Sequence, residues 1–99
     1  MALRAIGGEN LDVSTTAVGI TASLITTKVL MVRAVHKSGG GLHHNAASTP
    51  TAAGVTGDQP MDINDEIEVW GAPDLLGIKW VKRTGEADAV VAIQTFGEG

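Results

Sequence analysis

An all-β fold, a single-domain antiparallel β-sandwich of jelly-roll-like type over residues 1–99, is what the chain predicts. Three observations carry that expectation. Residues 66–70, 75–83 and 89–96 read as three strands in a row, separated by Gly71-Ala72-Pro73-Asp74 and by Thr84-Gly85-Glu86-Ala87-Asp88. Residues 29–36, Val-Leu-Met-Val-Arg-Ala-Val-His, are rich in branched side chains and apolar on both faces, as a central strand must be. Turn signals recur at about 8–12 residues, the rhythm of a sandwich or barrel, and no helical period alternates with the strands as a parallel α/β fold requires.

Taken in order, residues 1–13 place apolar side chains around a Gly7-Gly8 break and form short strands or an extended arm. Residues 14–28 are rich in Thr, Ser and Ala. The period-two placement of Val18, Ile20, Ala22 and Leu24 predicts a strand there, with no cap or charged face to favour a helix. In the central strand, Leu30, Val32 and Ala34 share one face, and Val29, Met31, Arg33 and Val35 the other. Arg33 is the exception among them and stands at a subunit contact or opposite a carboxylate. Residues 37–60 are the least regular. Lys37-Ser38-Gly39-Gly40-Gly41 reads as a flexible turn, further loop signals surround Pro50 and Pro60, and a loop region this long is often functional. Residues 61–64 make a short strand that ends in a turn at Asn64-Asp65. Glu66 and Glu68 then alternate with Ile67 and Val69, giving one wet and one dry face. The tail, Gly97-Glu98-Gly99, is expected to be disordered or available to a neighbour. The nominated core is Leu30, Val32, Ile67, Val69, Ile78, Trp80, Val91 and Ile93.

Ninety-nine residues give room for one domain and a modest core. Hydrophobic content is 43 %, much of it alanine, and aromatics make up only 3 %, all of them in the C-terminal strands. Thin cores gain stability by association, which points to an oligomer or a part of a larger assembly. A net charge of −4 argues against nucleic acid as partner. Lys79, Lys82 and Arg83 form one basic cluster, read as a solvated strand edge that discourages aggregation. Cysteine is absent, so no disulfide or thiolate metal site exists. No stretch approaches the roughly 18 apolar residues that span a bilayer, and the opening residues lack the apolar run of a secretory signal. The expectation is a protein used without export and without a membrane.

Candidate chemistry is sparse. His43 and His44, with His36 nearby, are the metal candidates. Adjacent strand residues face opposite ways, and a third ligand at fixed spacing is missing, so polar histidines at an interface or in solvent are the favoured reading. The glycines at 39–41 are not followed by Lys-Ser/Thr as a phosphate cradle requires. Asp58, Asp62, Asp65 and Glu66 lack the spacing of a calcium loop. Ser14 and Ser48 have neither nucleophile-elbow context nor an assignable base. Trp70 or Trp80 can stack a sugar, against the alternative that one or both fill the core or an oligomer seam. No enzyme, cofactor or metal is expected.

From Gly57 to Phe96 the chain resembles small β-sandwich virion proteins of tailed bacteriophages. The motifs are Asp65-Glu66-Ile67-Glu68-Val69-Trp70-Gly71, then Asp74-Leu75-Leu76-Gly77-Ile78-Lys79-Trp80-Val81-Lys82-Arg83-Thr84-Gly85, then residues 89–96 closing on Phe96. The Thr/Ala-rich start and residues 29–35 agree loosely. These motifs are structural and carry no catalytic residues. The resemblance implies a head decoration or cement protein, or a tail or head-fibre adaptor, located in the virion after assembly in the host cytoplasm. It implies the major capsid protein or other virion subunits as partners and a homo-oligomer, a trimer by preference. Residues 1–13 and 37–60 are the expected contact elements, with Leu3, Arg4, Ile6, Arg33, His43, His44 and Trp70 as interface residues. A small carbohydrate-binding adhesive module is the alternative.

Overall fold

The computed structural model describes residues 3–55 and 57–98. Eight strands follow in chain order: β1 Leu3–Val13, β2 Val18–Gly19, β3 Val29–Ser38, β4 Leu42–Asn45, β5 Gln59–Met61, β6 Glu66–Trp70, β7 Lys79–Lys82 and β8 Ala89–Glu98. A 3-10 turn at Ala22–Leu24 and one short helix, α1 at Ala72–Gly77, complete the elements. The strands form two four-stranded sheets, ordered β1-β8-β3-β6 and β2-β7-β4-β5. Every pairing is antiparallel: β1 with β8, β2 with β7, β3 with β6, β4 with β5, joined by β3–β8 and β4–β7. A long hairpin rolled into two layers has this order, which is that of a jelly roll. The all-β sandwich expected from the sequence is the observed fold.

The core lies between the sheets. Leu11 and Val13 of β1, Val91 and Ile93 of β8, Val32 and Ala34 of β3 and Val69 of β6 face Leu42 of β4, Met61 of β5 and Trp80 of β7. The inward residues alternate strictly along β8, from Ala89 to Gly97, because strand side chains have period two. Seven of the eight nominated core residues hold: Val32, Val69, Ile78, Trp80, Val91 and Ile93 are buried, and Ile67 packs half-buried against them. Leu30 does not. A register shift between Val29 and Met31 against β8 breaks the alternation, so Val29 joins the core in its place.

Several other expectations are corrected. Leu3–Val13 is one edge strand paired along its length with β8, not a detached arm; Met1 and Ala2 lie outside the described residues. A bulge at Ile6 lets the strand pass the Gly7-Gly8 break, where a Cβ on Gly8 would meet the Ile93 carbonyl. Only Val18–Gly19 of the 14–28 segment pairs as a strand. Beyond it the chain turns, held where Thr21 donates from its backbone N and its Oγ1 to the Glu9 carboxylate at 2.7 and 2.6 Å. Leu75-Leu76-Gly77 belongs to α1 rather than to the following strand. Gly71 enters with φ 87°, Pro73 sits in the first turn where its missing N–H costs nothing, and Leu75 is buried. Gly97 and Glu98 extend β8 to its end instead of forming a loose tail, and Gly99 lies outside the described residues.

Residues 37–60 are more ordered than the sequence implied, although Thr56 lies outside the described residues. The turn at 39–41 is anchored: His36 Nε2 donates to the Gly40 carbonyl, Gly41 N donates to Glu86 Oε1 at 3.1 Å, and Arg83 N donates to the Gly41 carbonyl at 3.0 Å. Gly39 has φ 96° and lies so close to Asp88 and Ala89 that no Cβ fits. Farther on, Asp58 accepts from Thr51 N, Thr51 Oγ1 and Asn45 Nδ2, tying the loop onto β4. The basic cluster is not an edge either. β7 is an inner strand of its sheet, with Lys82 paired to Asp88 at 2.8 Å and Arg83 to Asp62 and Glu86.

Candidate functional site

Two surfaces stand out, and both involve β6. The first is the outer face of the β1-β8-β3-β6 sheet. Its register aligns Ala5, Phe96, Met31 and Trp70 in one row and Gly8, Gln94, Arg33 and Glu68 in the next. Met31 is buried although it lies outside the inter-sheet core, flanked in register by Phe96 and Trp70. Trp70 is 52 % exposed and Ile6, at the β1 bulge, 42 % exposed. Arg33 lies over the Phe96 ring, 5.3 Å from its centroid, and 4.0 Å from Glu68. Of the two positions open to Arg33, the structure shows the carboxylate partner, supplemented by a cation–π contact. The face is therefore an apolar row bordered by one half-exposed ion pair.

The second surface is a cleft of about 520 Å³ where the sandwich opens beside β6. Ile67, Val69 and Ile78 form its apolar wall, Glu68 and Trp70 its outer lip, and His44 and Gln59 the opposite side. β6 ends its sheet, with β3 on one flank only. Gly77 packs against the Ala46 carbonyl too closely to admit a Cβ, fixing α1 against the segment after β4. Trp70 Nε1 is 3.4 Å from Glu68 Oε1, a weak contact that leaves the ring at the lip.

The histidines separate as strand geometry demands. His43 and His44 lie on β4, not in a loop. His43 Nδ1 donates to the Thr51 carbonyl at 3.1 Å, and Gly54 lies against its ring. His44 shares a register row with the buried Trp80 and lines the cleft. Burial, and secondarily the neighbouring His43, holds the His44 imidazole below its usual protonation range. His36 is wholly buried. Among the described residues no three His, Asp or Glu side chains group as metal ligands do. Asp62 is taken by Arg83, and Asp65 accepts from Asp62 N at 2.8 Å.

Of the expected interface residues, Arg33 and Trp70 lie in neighbouring rows of the outer face, and Trp70 and His44 both line the cleft. Leu3, Arg4 and Ile6 lie on the opposite edge strand, and His43 lies apart beneath the loop. Phe96, Met31 and Glu68 share the outer-face rows and are not among the residues the sequence nominated. The alternation of Glu66 and Glu68 was the available signal for β6, and the position of Phe96 two strands away needs the fold. Trp80 is fully buried and unavailable to any ligand. No helix among the described residues is long and apolar enough to cross a membrane. No protein-family model, curated protein or solved structure matches this chain.

Proposed function

We propose that this chain is a structural virion protein of a tailed bacteriophage, a decoration or cement subunit that fastens to head subunits as a homo-oligomer, with a trimer preferred. The apolar row Ala5–Phe96–Met31–Trp70 on the outer sheet face carries the reading. A sheet presenting exposed Trp70 and partly buried Phe96 beside Arg33 has the kind of anchor residues from which interfaces draw most of their energy. Three strands of about ten residues and the five residues of β6 cover about 550 Å², under the roughly 800 Å² per partner of a standard interface. Jelly rolls recur in viral capsid domains, an analogy of fold that agrees with the resemblance without selecting the function.

The test is direct. Antibody to this chain, applied to purified virions from the genome that encodes it, is expected to label the heads in electron micrographs. Virions free of the chain would contradict the proposal, and label on the tail or fibres would move it to the adaptor role. The carbohydrate-binding reading retains one observation, the half-exposed Trp70 ring above a cleft with polar rims. A glycan array separates the two, since a cement subunit gives no saturable glycan signal.

A further inference from the structure

The cleft beside β6 has a property that the outer face lacks: among the described residues, a row of backbone groups without a hydrogen-bond partner. β3 and β6 pair with Ala34 opposite Ile67 and Val32 opposite Val69, while His36 N donates to the Asp65 carbonyl at 2.9 Å and Gly71 N to the Leu30 carbonyl at 3.4 Å. Antiparallel hydrogen bonding alternates, so residues 65, 67, 69 and 71 bond toward β3. The N–H and C=O groups of Glu66, Glu68 and Trp70 consequently point away from β3, toward the cleft side of the strand. Ile67, Val69 and Ile78 line that space below the sheet plane.

We propose that this edge receives an extended peptide segment of a partner protein as a fifth strand of the β1-β8-β3-β6 sheet, and that the segment alternates basic and apolar residues. Its apolar side chains enter the cleft over Ile67, Val69 and Ile78. Its basic side chains stand on the outer face opposite Glu66 and Glu68, as cross-strand charge pairs do. A basic group beside Trp70 gains a cation–π contact as well. Charge selects this occupant. Among the described residues Glu66 makes no ion pair, and the Glu68 side chain stays 49 % exposed at 4.0 Å from Arg33. A second copy pairing β6 to β6 over its full length in antiparallel register sets Glu68 against Glu68 and is repelled. The whole chain carries a net charge of −4, which disfavours an acidic segment further. The site requires only the cleft and the free edge, so it goes beyond the virion assignment and is tested apart from it.

The probe is the capped peptide Lys-Val-Lys-Val-Lys-Val, titrated into the full chain at low salt. Tryptophan fluorescence and amide NMR shifts are followed, with Trp70→Phe identifying the optical signal. Saturable binding is expected, with shifts centred on Glu66, Glu68 and Trp70. The block-ordered peptide Lys-Lys-Lys-Val-Val-Val and the alternating Glu–Val peptide are expected to bind at least about tenfold more weakly, as charge-matched and register-matched contacts require. N-methylation of alternate amides, on the one phase that faces β6, is expected to abolish binding, and the other phase to leave it intact. E66K/E68K is expected to reverse the preference toward the Glu–Val peptide. E66Q/E68Q, which keeps side-chain size, is expected to flatten the preference; circular dichroism checks both folds. No saturable binding up to peptide solubility, equal binding of the block-ordered peptide, or indifference to both methylation phases would overturn the proposal. The glutamates would then be edge protection against aggregation and nothing more.

Discussion

Trp70 and Trp80 have the same side chain in opposite circumstances. Trp80 is fully buried between the sheets, whereas Trp70 is half exposed on an edge strand. Trp80→Ala is expected to cost about 3–5 kcal/mol, because a large core cavity opens that the strands cannot close, and Trp70→Ala no more than about 1 kcal/mol. Chemical denaturation of the two variants checks this; equal losses would contradict the assignment. His44 gives a pH dependence with a definite sign. Its native imidazole accepts a proton less readily than in the unfolded chain, where the value is near 6.5. The unfolded chain therefore binds more protons in this range. The contribution of His44 to stability is complete above that value and is lost as pH falls through it toward the lowered native one. Thermal melts from about pH 7.5 down to about 5.5 are expected to show a falling midpoint, with a shallower fall in His44→Gln. A slope unchanged by that substitution would remove His44 as its source. At Gly39 the φ of 96° and the contact with Asp88 and Ala89 leave no room for a side chain, so Gly39→Ala is expected to destabilise the fold.

At the scale of elements, β1 is a structural strand. Deleting residues 1–8 removes the pairing of Leu3–Gly8 with Gln94–Glu98, and at about 1 kcal/mol net per backbone hydrogen bond a loss of a few kcal/mol is expected. A denaturation midpoint unmoved by the deletion would restore the reading of a free arm. The sequence displayed Glu66 to Val69 through its alternation, because period two is visible locally, and Ala89 to Ile93 as a continuous apolar run bounded by turn signals. It concealed features decided by distant contacts. The bulge that exchanges Leu30 for Val29 arises from the partner strand β8. The apparent strand from Val18 to Leu24 yields to the Thr21–Glu9 bonds, whose partners lie twelve residues apart. The apolar Leu75-Leu76 pair looks like strand, yet Gly71, Pro73 and Asp74 before it are helix-entry residues that could have been weighed. The site was partly legible: Trp70, Arg33 and His44 were singled out, but only the register brings Phe96 and Met31 beside the first two.

The whole molecule measures 42 × 24 × 20 Å; its apolar side chains fill the inter-sheet core, and exposed ones stand at Trp70 on the outer face and at Ile6, Val55, Ile63 and Leu76. A core so poor in aromatics gains from shared burial, and the outer face is where burial is available. Arg33 lies over the Phe96 ring, and its ion pair with Glu68, at 4.0 Å and half exposed, adds little to that contact. The measurement that bears most directly on this account is the solution mass by sedimentation velocity at micromolar concentration, for the natural chain and for the double variant Trp70→Glu/Phe96→Glu. The natural chain is expected to sediment as a discrete oligomer, three times the 10.2 kDa protomer, and the double variant as a folded protomer. A natural chain that sediments at the protomer mass would contradict the account, as would an oligomer that survives both charges.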